Sequence, residues 1–159
     1  MLTPRRSSQA EGHMHIFTQL IAMNRARQLQ RQLHGIERQI RALPARSRIR
    51  LSMLTLREIG HASQCDFPHL YATPPEQRYT PWGQGTAIGF ARAQSDNSEV
   101  ALRGIALWLA VAYHESKNAQ YACLQAPHRQ VLRVLRELKE QRGDAREVAA
   151  QWMNSSAAA

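Results

Sequence analysis

Arg27, Arg31, Arg38 and Arg41, with His34 among them, recur every three or four residues. On a helix of 3.6 residues per turn, that spacing draws them into one line. A guanidinium is a permanently charged planar fork that matches a phosphate with two parallel hydrogen bonds. Arg27 and Arg41 are 14 residues apart, roughly 21 Å along a helix axis, a length that faces about three or four phosphates of one strand. Arg46, Arg48, Arg50 and Arg57 prolong the positive run, and Glu37 is the only acid between Arg25 and Arg57. The chemistry such a row supports is phosphate neutralisation with counterion release, indifferent to base sequence and weakened steeply by salt. The residues expected to carry it are Arg27, Arg31, Arg38, Arg41, Arg46, Arg48 and Arg50. A plain solubilising face is the competing explanation, because arginine is a good helix former. A solvated face mixes its signs, however, and here at least seven uncompensated charges repel one another unless a polyanion is present.

Other groupings fall short of a site. His61, Cys65 and His69, with Asp66, have the four-residue spacing of ligands on one helix face. Pro68 lies inside the last interval and disrupts the helix that the spacing needs. His13 and His15 are weaker still. Gly83, Gly85 and Gly89 read G-x-G-x-x-x-G, one residue longer than the dinucleotide fingerprint, with no strand before them. A turn leading into a short helix explains them better. Tyr113, His114, Glu115 and Lys117 offer acid and base groups, but adjacent helical positions diverge and no nucleophile motif accompanies them. No metal, cofactor or catalytic set is therefore expected. No zinc-finger spacing, RNP-like strand or helix-turn-helix turn is present, and the charges lie on the back of the heptads rather than before them as in a leucine-zipper factor.

The elements that must hold the arginines follow from apolar spacing. Ala22, Ala26, Leu29, Leu33, Ile36, Ile40 and Leu43 are separated by 4, 3, 4, 3, 4 and 3 residues, an unbroken heptad seam on the side opposite the arginine line. A helix is expected from about residue 10 to Pro44, with an intramolecular hairpin and a dimeric coil as the two uses of its seam. Residues 46–59 fit either period, and a helix is favoured because no partner strand is evident. The segment 61–85 is a Pro/Gly-rich loop. Asp96 and Glu99 form a capping pattern for an almost wholly apolar helix to Ser116, which belongs at the centre. Pro127 suits the first turn of the next helix, where Arg133–Glu137 and Arg136–Glu140 are i,i+4 pairs. Gly143 is expected to stop that helix, and Asp144 with Glu147 to cap a short last one carrying Val148 and Trp152.

The fold class is thus all-α, a compact bundle of about five or six helices. Residues 1–13 read as a loose leader, 14–153 as one helical domain and 154–159 as a disordered tail. The chain's 159 residues suit a single domain, and its 43% apolar content excludes a disordered polyelectrolyte. Its formal charge of +9 resides entirely in residues 1–57, which hold 11 arginines and two acids, while the other 102 residues are neutral. The longest apolar run, Ile105–Tyr113, has nine residues where a bilayer span needs about 20. Cys65 and Cys123, far apart and without an export signal, suit free thiols, and a cytoplasmic bacterial setting is expected. The function these features favour is non-enzymatic nucleic-acid binding, to DNA or RNA, by an accessory or regulatory protein. The alternative is a protein-interaction or assembly subunit that uses the 22–43 seam to form a homodimer or to meet an acidic protein partner.

Overall fold

The computed structural model describes the backbone of residues 4–64, 85–117 and 119–157, and the side chains of residues 16–60, 85–117 and 119–141. Among the described residues the protein is all-α and has no strand. Helix α1 (Pro4–Ala42) is followed by α2 (Ala45–Gln64), α3 (residues 85–93), α4 (Ser98–Ser116), a single 3-10 turn (Ala122–Leu124) and α5 (Gln125–Ala157). No helix among them is long and apolar enough to cross a membrane.

The centre is α4, as its composition requires. Leu102, Ile105, Ala106, Trp108, Leu109, Val111 and Ala112 are all buried, so the helix is covered on nearly every side. Its start is capped one residue later than the Asp96 pattern implied. The Asn97 side-chain oxygen accepts from the backbone N–H groups of Glu99 at 3.0 Å and Val100 at 3.2 Å, satisfying two donors that have no partner within the helix. Helix α2 makes its most extensive contact with α4 and also packs on α5. It buries Leu51, Ser52 and Thr55, which share one helical face. Helical spacing therefore prevailed over the alternating pattern of residues 46–59.

Helix α1 closes the other side. Ala22, Ala26, Leu29, Leu33, Ile36 and Ile40 are at most 9% exposed and belong to the same apolar core as α4 and α5, with Leu43 packed against it. The heptad seam is thus filled by the chain's own helices. Pro44 reverses the chain, its carbonyl accepting from the Arg48 N–H in the first turn of α2.

Helices α3 and α4 approach each other closely. A Cβ built on Gly89 would lie 2.8 Å from the Trp108 nitrogen, and one on Gly104 would meet the backbone of Arg92 and Ala93. The two helices cross with glycine on each side because only a missing side chain admits such proximity. Gly89 is therefore a packing residue. Gly85 opens the described part of α3, and Gly83 lies outside the described residues.

Several boundaries differ from the sequence expectation. Helix α1 begins at Pro4, so residues 4–13 continue it backwards as helix. Helix α5 runs through Gly143 to Ala157 without a break, and the separate last helix is not seen. Glycine weakens a helix by about 1 kcal/mol relative to alanine but keeps its N–H and C=O, so by itself it does not end one. Helix α2 extends to Gln64, and residues 65–84 of the Pro/Gly-rich segment lie outside the described residues.

Candidate nucleic-acid interface

With Leu29, Leu33, Ile36 and Ile40 committed to the core, the opposite side of α1 must face water. Arg27, Arg31, His34, Arg38 and Arg41 are all exposed there. Together with the uncharged Asn24, Gln28 and Gln30, most of the line borders an open depression along the helix. None of Arg27, Arg31, Arg38 and Arg41 makes an ion pair among the described residues, and the same holds for Arg46 and Arg57 on α2. Glu37, beside the line, is turned to α5, where its carboxylate accepts from Arg133. That contact replaces the expected Arg133–Glu137 pair, and it leaves the arginine line without a neutralising neighbour among the described residues.

The seven expected contact residues divide into two groups. Arg27, Arg31, Arg38, Arg41 and Arg46 are exposed and unpaired. Arg50 is exposed but donates to the Glu99 carboxylate of α4 at 2.5 Å, and Arg103 donates to the same oxygen at 3.1 Å. Arg48 is half-buried, one turn before Ser52 on the inward face of α2, with its Nε buried and making no hydrogen bond. Arg48 thus turns toward the fold and Arg50 is engaged at its surface, so the free charge lies mainly along α1.

Arg25 belongs to the same arginine-rich stretch and has a different fate. It is 8% exposed and donates through Nε to Glu115 Oε1 at 2.6 Å and through Nη2 to Glu115 Oε2 at 3.1 Å. Its remaining donors reach Gln28 Oε1 at 2.6 Å and the Thr86 hydroxyl. One guanidinium thereby ties α1 to α3 and α4. Burial pushes the Glu115 carboxyl up from its ordinary value, and the two bonds from Arg25 oppose that shift. The signal available in the sequence was a carboxylate, Glu115, on the most apolar helix of the chain, since such a group needs a cation beside it.

Of the acid and base groups at the end of α4, Tyr113, His114 and Lys117 stay in contact, the Tyr113 and His114 rings meeting edge-on with centroids 5.1 Å apart, and Glu115 diverges from them. Glu115 turns to Arg25. The His114 ring nitrogen Nε2 lies 3.1 Å from the Ile59 carbonyl, to which it donates. Ser116 Oγ donates to the Ala112 carbonyl at 2.6 Å and lies 2.8 Å from His128 Nδ1, while Lys117 stands over the Tyr113 ring. Burial lowers the His114 pKa below its ordinary 6.5 despite the bond to Ile59. Burial, aided by Lys117, does the same to His128. Both rings are therefore favoured neutral in the fold, and the stability this contributes is complete above pH 6.5 and lost as pH falls through the lowered values. Thermal melts are expected to show the melting temperature falling between pH 7.5 and 5. The fall should be smaller in a His114→Gln, His128→Gln variant; an equal fall in that variant would assign the effect to other groups.

Among the described residues no cluster of three or more His, Cys, Asp or Glu side chains is placed to hold a metal. Cys65, Asp66 and His69 lie outside the described residues, as do the side chains of His13, His15 and His61. Cys123 is a free, half-buried thiol. Compared with known proteins, the chain matches no family model, and no curated protein or solved structure is significantly similar to it.

Proposed function

We propose that the protein is a non-enzymatic nucleic-acid-binding accessory or regulatory protein whose outer α1 face contacts phosphates. The observation that supports this reading is the line Arg27, Arg31, Arg38 and Arg41, exposed, free of ion pairs among the described residues and facing away from the buried seam. Arg46 extends it past the turn, and Arg48 and Arg50 lie at its margin. Like charges held this close on a rigid helix repel one another, and a polyanion relieves that repulsion. Each phosphate neutralised releases its condensed counterions, so affinity arises without contacts to base edges.

Binding of the intact protein to generic duplex DNA and to RNA, titrated with salt, tests the reading. Affinity is expected to fall log-linearly with salt, by about 0.9 per phosphate contact on duplex DNA and about 0.7 on single strands. Arg31→Glu, Arg38→Glu should weaken binding by roughly 10–100-fold at low salt, reduce the salt slope by about two contacts, and do so equally across sequences. No binding at low salt overturns the proposal. Binding to polyglutamate that matches nucleic acid overturns it in favour of an acidic protein partner.

A further inference from the structure

Helices α2, α4 and α5 enclose a cleft of about 480 Å³ on the side of the core away from α1, a volume within the range of small-ligand sites. Its walls are Leu56 and Ile59 from α2 and Leu132 and Leu135 from α5. Leu56 is 43% exposed and Leu132 36%, so this apolar surface is left in contact with water. The charge at its border indicates what it would accept. Arg136 and Lys139, both exposed, border the cleft; the expected Arg136–Glu140 pair is not formed, and neither cation is ion-paired among the described residues.

An apolar trough with two free cations at its border is complementary to one kind of small molecule. We propose that the cleft binds an amphipathic monocarboxylate, an alkyl chain of medium length with a terminal carboxylate. The chain removes the leucine and isoleucine walls from water, and the carboxylate accepts from the Arg136 fork and the Lys139 ammonium. The site is separate from the α1 arginine line, so it stands or falls independently of nucleic-acid binding.

The test uses the full chain and a fluorescent probe, 11-(dansylamino)undecanoate, displaced by decanoate below its micelle concentration. Decanoate is expected to displace the probe at least tenfold better than decan-1-ol, and decyltrimethylammonium to compete more weakly still. Arg136→Glu, Lys139→Glu alters two exposed positions and leaves the core intact, so it should lower decanoate affinity at least tenfold while leaving decanol unchanged. Leu135→Trp, which fills the trough, should abolish both, whereas Arg31→Glu, Arg38→Glu should change neither. Equal binding of the three head groups would overturn the proposal. So would failure of the probe to bind, or binding of an acidic amphipathic peptide in its place.

Discussion

Gly104→Ala is expected to destabilise the protein by about 3 kcal/mol or more, the upper end of what overpacking costs. The added Cβ would lie 2.7 Å from the Arg92 carbonyl carbon and would also overlap the backbone nitrogen of Ala93. Both are main-chain atoms of α3, so no side chain can rotate away, and the helices must separate instead. Separation would loosen the cover over Trp108, which is fully buried. For a chain of this size each kcal/mol corresponds to about 2–4 °C, so a fall of about 10 °C in melting temperature is the expected readout. Gly60→Ala supplies the contrast. Nothing lies within 4 Å of a Cβ at that α2 position, so better helix propensity alone should raise stability by about 0.5–1 kcal/mol. Equal effects of the two substitutions in thermal or urea unfolding would refute the α3–α4 crossing as described.

Removing the charge of Arg25 is the second large effect. Arg25→Met preserves most of the aliphatic length but leaves the Glu115 side chain, 1% exposed, buried without its cation. Breaking a buried pair from one side costs about 3–5 kcal/mol. The carboxyl then gains by taking up a proton. With its pKa raised above the ordinary 4.5 by burial, the stability of the variant should be greatest at acid pH and decline as pH rises through the raised value. Replacing both partners, Arg25→Met with Glu115→Leu, should recover most of the loss, because apolar side chains of similar volume often substitute for a buried pair at little net cost. Urea unfolding of the two single variants and the double gives the coupling directly. Additive losses would show that the two side chains act independently.

These two sites show why the arginine content was legible before its distribution was. Arg25 and Arg27 lie two residues apart in one basic run, yet one is inside and the other outside. Two helical positions are about 200° apart, so their faces differ, and the seam already separated them in principle. The depth of Arg25 depended on Glu115, 90 residues away in the chain. Arg50 illustrates the same limit, since it is engaged by Glu99, 49 residues away. The helix ends were the other weak point. Pro44 marked its boundary correctly because proline removes a donor and imposes a steric constraint on its neighbour. Gly143 did not mark one, because glycine only lowers a preference. Gly89 carried the opposite error. Read as part of a turn leading into a short helix, it seemed incidental, and its reason lies in the approach of α3 to α4, where Gly104 is its counterpart and whose crossing no local pattern encodes.

The sequence by itself determined that the chain is helical, that its excess charge belongs to residues 1–57, and that α1 carries an apolar seam opposite an arginine line. Those properties follow from composition and from a period of 3.6 residues, which neighbouring positions impose on one another. Only the tertiary structure decided that the seam is covered by α4 and α5, that Glu37, Glu99 and Glu115 are engaged by Arg133, Arg50 and Arg25, and that five expected contact residues remain exposed and unpaired. Charge pairing and burial depend on which distant segments meet, because Coulomb attraction and desolvation act through space and are indifferent to separation along the chain.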